Sequence, residues 1–334
     1  MVSADIYQGV VDEEEQDATL AAVVRGLMDG LSWNKSRALI RSGRVKVDGE
    51  LRFEPAERPG AGVLVEVNPT GRRRTAPPLP RERIVHVDRD FVVVRKPAGL
   101  LSVPWSDDDQ RDTLIERTRL ALREYGFGPA GKGRGKGSGS RSDRLGVVQR
   151  LDKDTTGLLV FTRTRRARKA LESQFRAHTV HRRYLALVHG RAEAEIYESH
   201  LVADRGDGLR GSWRGGSPPK AARHAITKVR VEARLAGATL ISCQLETGRQ
   251  HQIRIHLAEA GHPLIGEPVY GRGYQGPRID APRPMLHAAS LGFHHPGGGD
   301  RTLRFEAPVP DDLSEAIAGL RIQATSDDPQ DPLV

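Results

Sequence analysis

The chain has 334 residues, enough for two domains or for one large domain with a small appendage. Its 52 Lys+Arg against 43 Asp+Glu give a net charge of +9, which suits a polyanion such as RNA or DNA but is also met by ordinary surface charge. A single cysteine, Cys243, excludes an intrachain disulfide and any zinc site built on several thiolates. With no apolar run of the ~18 residues that span a membrane and an acidic N-terminus unlike a signal peptide, the expectation is a soluble, cytoplasmic protein with no membrane partner.

Leu20, Val24, Leu27 and Leu31 recur at helical spacing and predict one apolar helix face. A second helix is predicted over Ser36 to Ser42, stopped by Gly43, then a strand at Val45 to Val47, a tight turn at Asp48-Gly49 and a closing strand at Val63 to Val67. Lys35, Arg37, Arg41, Arg44 and Lys46 fall in a stretch without an acid, and a helix would place Arg37, Arg41 and Arg44 on one side. A solvated basic face is the ordinary explanation of such a run. The order of helix, turn, Arg-Val-Lys-Val-Asp-Gly strand and closing strand resembles the S4 RNA-binding domain over residues 15–70, and that resemblance implies RNA contacts for these five residues.

Residues 71–81, basic and then Pro-rich, have the composition of a linker. From 82 to 324 strands alternate with a few helices. Strands are predicted at Ile84 to Val87, Phe91 to Val94, Leu158 to Phe161, Tyr184 to Val188 and Ala238 to Glu246, with helices at Thr113 to Glu124 and Arg166 to Arg176. Lys96-Pro97-Ala98-Gly99 has the look of a turn. Two stretches have loop composition: a Gly/Ser/basic insertion at 126–144, and Arg205 to Lys220. Residues 325–334 are expected to be a loose tail.

Three blocks could carry chemistry. Gln149-Arg150-Leu151-Asp152-Lys153-Asp154-Thr155-Thr156-Gly157 puts a carboxylate at a loop-to-strand junction; alone, Asp152 would be a turn residue. Arg182-Arg183-Tyr184-Leu185-Ala186 enters a strand, where a tyrosine is ordinarily core. Glu246-Thr247-Gly248-Arg249-Gln250-His251-Gln252-Ile253-Arg254-Ile255-His256 opens a helix whose N-terminus, with Arg249, would welcome an anion. His251 and His256 lack the glutamate of a metalloprotease helix, so no metal is expected. Asp152 with Asp154 could imitate a glycosidase acid pair, a reading weakened by alternating side chains and adjacent Lys153.

In this order the blocks resemble the RluA-type family of RNA pseudouridine synthases, over roughly residues 82 to 310, in which an S4-like module commonly precedes the catalytic domain. The resemblance implies an α+β fold: a catalytic domain around a largely antiparallel mixed sheet, plus a small N-terminal S4-like α+β domain. It implies Asp152 as nucleophile, Tyr184 beside the target ring, Arg254 paired with the aspartate, Leu286 packing below it, and Arg150 filling the place of a flipped base. Arg249 is expected at the substrate as well. Gln149 and Thr156 depart from the family's His and Ser, and neither removes a group the chemistry requires.

Pseudouridine formation breaks the glycosidic bond of uridine, turns the uracil and rejoins it through carbon, so no cofactor is needed. A carboxylate must stay ionised in a partly dry pocket, and a guanidinium beside it opposes the effect of desolvation. Extruding a stacked base costs a few kcal/mol. Attack on the sugar, attack on the ring and proton abstraction from the ribose all use the same carboxylate. The expected substrate is ribosomal RNA, with transfer RNA as the alternative. A non-catalytic RNA-binding or ribosome-assembly protein and a nucleoside-bond hydrolase are the competing readings.

Overall fold

The computed structural model describes residues 6–71, 77–104, 112–127, 144–299 and 301–327, and the chain divides into two compact units. Met1–Arg81 and Leu101–Gly128 form the first, Glu82–Leu100 and Pro129–Val334 the second. Residues 101–128 thus join the first unit, whereas the sequence reading kept them with everything after residue 82. Among the described residues no helix is long and apolar enough to cross a membrane.

The first unit contains β1 (Tyr7–Val10), α1 (Leu20–Leu27), α2 (Trp33–Arg41), β2 (Val45–Val47), β3 (Glu50–Arg52), β4 (Leu64–Val67) and α3 (Leu114–Glu124). Thr19 and Ser32 cap α1 and α2 by accepting the backbone N–H of Ala22 and Lys35. α1 ends at Leu27, so Leu31 lies past the helix, beyond Gly30 (φ 73), and still packs on the core of Leu20, Val24, Ile40, Val45 and Val67. Gly43 (φ 63) terminates α2, leaving Arg44 outside the helix, so the expected three-arginine face keeps only Arg37 and Arg41. Asp48 (φ 49) and Gly49 (φ 79) make the β2–β3 hairpin turn, where both central residues need positive φ. The sheet runs β1-β4-β2-β3, all antiparallel. Of the expected linker, 72–76 lie outside the described residues, but Leu79 is fully buried and donates its N–H to the Arg117 carbonyl of α3 at 2.9 Å. The end of that segment is anchored, not free.

The second unit is built on one sheet with β5 (Ile84–Val87), β6 (Phe91–Lys96), β7 (Gly146–Val147), β8 (Thr156–Thr162), β9 (His181–His189), β10 (Glu195–Val202), β11 (Gly211–Ser212), β12 (Arg223–Leu235), β13 (Ala238–Leu245), β14 (Leu286–His294) and β15 (Thr302–Glu306). The order is β11-β10-β12-β13-β9-β14-β8-β6-β5, with β15 on β14 and β7 on β8. Among the described residues every pairing of these strands is antiparallel except β8 with β14, so the largely antiparallel mixed sheet and the α+β class are as expected. α4 (Arg165–Arg176) covers Phe91, Leu158, Val160 and Phe293 through Leu171. α6 (Asp311–Asp327) packs Leu313 and Leu320 on Leu187, Leu240, Ile265 and Met285. Because α6 runs to Asp327, the first residues of the expected tail are helical; 328–334, like 128–143 of the expected insertion, lie outside the described residues.

The parallel β8–β14 junction fixes the chain next to Asp152. His287 and Ala288 pair with Thr156 and Gly157, and a Cβ on Gly157 (φ 110) would stand 2.2 Å from the Ala288 carbonyl oxygen. The glycine of the Thr-Thr-Gly motif is therefore required by close backbone approach as well as by its dihedral. Gly157→Ala is expected to destabilise the chain by at least ~2 kcal/mol, read from the urea midpoint at unchanged slope. An unchanged midpoint would refute the close approach.

Candidate active site

β9, β14 and β8 are neighbours at the middle of this sheet, and the block 149–155 enters β8 directly. Tyr184 on β9 pairs with Ala288 of β14, and Leu286, at the start of β14, pairs with Ala186. Both are buried. Asp152 is half-exposed in the loop ahead of β8, and its carbonyl accepts the Thr155 N–H at 3.2 Å. Burial holds the Tyr184 phenol above its usual range against Arg182, and the Asp152 charge pushes the same way. The phenol thus stays protonated at neutral pH, which suits a wall or a hydrogen-bond donor and not a phenolate base.

α5 (Gln252–Glu259) supplies the cation. Arg254 is 8% exposed, and its Nη1 lies 3.5 Å from Asp152 Oδ2. Its other edge, Nε and Nη2, donates to both oxygens of Glu267, each at 2.7 Å. Glu267 Oε1 also accepts the backbone N–H groups of Val269 and Tyr270, at 3.0 and 3.2 Å. Burial by itself would raise the Glu267 carboxyl; the Arg254 bonds and these two N–H groups outweigh it and hold the carboxyl below its usual range. Burial likewise works against the charged guanidinium of Arg254, and Glu267 overcomes it. The result is a fixed cation with one edge committed to Glu267 and Nη1 left facing Asp152.

His251 closes the same corner. It precedes α5 in the left-handed region (φ 57), its Nδ1 is 2.7 Å from the Tyr270 hydroxyl, and its Nε2 is 3.9 Å from Asp152 Oδ1. That left-handed turn separates Arg249 from Arg254. Arg249 does not join the Asp152 group: it is exposed, and its Nε donates to the His224 carbonyl of β12 at 2.9 Å. The opening of α5 is occupied by the chain itself, since the buried Gln252 side chain accepts from Arg249 N and Thr247 Oγ1 and donates to Ile226 O and Thr227 Oγ1. Arg150 is exposed and, among the described residues, makes no hydrogen bond or ion pair. The side-chain Nε2 of Gln149 is buried without a partner.

Two cations behind the loop were not singled out from the sequence. Lys96, 1% exposed at the end of β6, donates to the carbonyls of Pro97 (2.9 Å), Leu100 (2.7 Å) and Lys153, the last of these inside the Asp152 loop. Burial pushes its ammonium down to about 7, and Asp154 and Asp152 oppose that. Arg283 is bidentate to Asp312 at the start of α6 (2.6 and 2.8 Å), and its Nη1 reaches the carbonyls of Asp154, Pro284 and Leu286 at 3.1–3.3 Å. Together they hold the loop backbone from behind while leaving the Asp152 carboxylate toward Arg254.

Two further buried histidines pair with hydroxyls of the sheet. His256 lies between Ser199 Oγ (3.0 Å) and Thr227 Oγ1 (2.9 Å), well buried and apart from the Asp152 corner, and His287 pairs with Thr156 Oγ1 at 2.8 Å. Burial holds both imidazoles down to about 4 from the usual 6.5. Between those values the unfolded chain takes up protons that the folded chain does not, so stability falls as pH drops from 6.5 toward 4. The expected loss is up to roughly 3 kcal/mol for each histidine across the whole window. Thermal unfolding followed between about pH 7 and pH 5, above the carboxylate range, should show a falling midpoint that is shallower in His256→Gln; a flat profile in the parent chain would refute the assignment.

A model of the RNA pseudouridylate synthase family matches residues 90–259. The chain is 32% identical over 342 aligned residues to "Ribosomal large subunit pseudouridine synthase D" of Xanthomonas campestris pv. campestris, covering 96% of this chain and 94% of that one. It is 34% identical over 322 residues to the protein of the same name from Neisseria meningitidis serogroup A, covering 92% and 80%. The solved structure "Human RNA Pseudouridylate Synthase Domain Containing 4" superposes with a TM-score of 0.55 at 20% identity, over 72% of this chain and 93% of that one, a likeness of fold. The chain belongs to the RNA pseudouridylate synthase family.

Proposed function

We propose that the chain isomerises uridine to pseudouridine in ribosomal RNA, with Asp152 as the reacting carboxylate and Arg254 as its counter-charge. In the reaction the N1–C1′ bond breaks, a C5–C1′ bond forms, the C5 proton leaves and N1 gains one. Nothing is oxidised or reduced, and no cofactor enters. Tyr184 and Leu286 are the apolar sides of the base pocket, and exposed Arg150 fills the stack left when the uridine is extruded. Exposed Arg249, whose Nε is held by the His224 carbonyl, keeps its Nη groups for the RNA outside the Asp152 corner. The observation that carries the reading is the half-exposed Asp152 carboxylate 3.5 Å from a guanidinium whose other edge is locked by buried Glu267.

Ribosomal RNA is favoured over transfer RNA because the relatives matched along most of the chain are named for the large ribosomal subunit. The first unit is read as S4-like, with Lys35 and Arg37 exposed toward RNA; Arg41, Arg44 and Lys46 are half-buried. Incubating the chain with unmodified ribosomal and transfer RNA, then mapping carbodiimide-dependent reverse-transcription stops, tests both parts. New stops in large-subunit RNA are expected. Stops confined to transfer RNA would change the substrate, and release of free uracil would replace the isomerase by a hydrolase.

A further inference from the structure

We propose that Trp33, flanked by Arg25 and Arg37, is a stacking platform for an unpaired base of the RNA substrate. This rests on the reading that the substrate is RNA. Trp33 opens α2 and is 43% exposed, outside the apolar core of the first unit, which closes without it. The Arg25 guanidinium lies 4.9 Å from the ring centroid and that of Arg37 5.8 Å. Arg25 comes from the last turn of α1, and its Nε is fixed on the Leu31 carbonyl at 3.0 Å. Arg37 comes from the next turn of α2. Two helices therefore deliver two cations to one exposed indole.

Charge and shape together select the ligand. From Trp33 to Val47 the sequence has no acidic residue, and neither Arg25, Arg37 nor Lys35 forms an ion pair among the described residues. Uncompensated guanidiniums call for an anion, and an exposed ring of this size calls for a flat apolar partner. A single-stranded nucleic acid carries both, a phosphate and a base on each nucleotide, and aromatic–arginine surfaces bind it with little dependence on sequence. A duplex hides its base faces and could use only the charge. An acidic peptide would likewise use the arginines and leave the indole idle.

The test is equilibrium binding of the full-length chain to a labelled single-stranded RNA, to the same RNA as a duplex, and to an oligoglutamate peptide, with Trp33→Ala, Trp33→Phe and Arg25→Gln/Arg37→Gln. Trp33→Ala should weaken single-strand binding about tenfold, Trp33→Phe should restore most of it, and duplex binding should change little. The double arginine variant should weaken both RNAs and flatten the salt dependence. A Trp33→Ala chain with the parent's thermal midpoint and unchanged single-strand binding would overturn the proposal. So would equal losses for single strand and duplex, or a Trp33 effect seen only with oligoglutamate. Binding is read without turnover, so the two readings fail separately. A chain that binds this way but makes no pseudouridine removes the reaction and keeps the platform; a chain that makes pseudouridine while ignoring Trp33 does the reverse.

Discussion

Asp152→Asn is expected to lower the rate of pseudouridine formation by at least ~10⁴-fold while the folded chain survives, because it removes the anion and nothing else. The side chain keeps its size, and among the described residues the hydrogen bond that ties the residue to its own loop, the Thr155 N–H on the Asp152 carbonyl, uses the backbone. Lys96 and Arg283 also grip the loop through backbone carbonyls, those of Lys153 and Asp154, so the scaffold does not need the carboxylate. Release of tritium from RNA carrying [5-³H]uridine measures the C5 proton directly in a single turnover. RNA affinity and thermal midpoint serve as controls. A variant that retained more than a hundredth of the parent rate would place the reacting carboxylate elsewhere.

How much of this was legible in the sequence depends on where each partner stands along the chain. Asp152, Tyr184 and Arg254 could be found because each sits in a contiguous block, and the structure brings the three to one corner of the central strands. Glu267 was hidden: it lies in a Gly/Pro-punctuated loop where an acid looks like a turn residue, and its bond to Arg254 spans 13 positions. Arg283 and Asp312, 29 positions apart, meet only by tertiary approach. Lys96 read as a turn because a buried lysine has no local signature; burial and three carbonyls define it. Arg249 stands apart from the Asp152 and Arg254 pair, on the far side of the left-handed His251, a dihedral that the residue type permits but does not announce. Some misses had a signal. Ala225, Thr227 and Val229 alternate inward along β12, and Leu313, Ala316, Ile317 and Leu320 recur at helical spacing in α6. β14 had none, since it is buried on both faces and does not alternate.

Removing Arg254 should cost more than activity, and a double-variant cycle with Glu267 separates the two losses. Arg254→Met leaves the Glu267 carboxylate, 1% exposed, with two backbone N–H groups and no cation. Breaking a buried pair in this way costs about 3–5 kcal/mol. In that variant the carboxyl is relieved by protonation, so its folded-state pKa rises above the unfolded value. More protons are then bound folded than unfolded, and stability falls as pH climbs through that window. His256 and His287 act in the opposite direction over mild acid and remain in the variant, so the orphaned carboxyl should flatten the parent's pH slope, and the double variant should restore it. Arg254→Met/Glu267→Met replaces both charges with apolar groups of similar volume and should recover most of the lost stability. It should not recover pseudouridine formation, since Asp152 would still lack the guanidinium now 3.5 Å away. If the double variant regained both, Arg254 would be a structural residue; if it regained neither, the pair would do more for the fold than its geometry explains. Recovered stability with persistent inactivity assigns Glu267 to holding the guanidinium and Arg254 to serving the carboxylate.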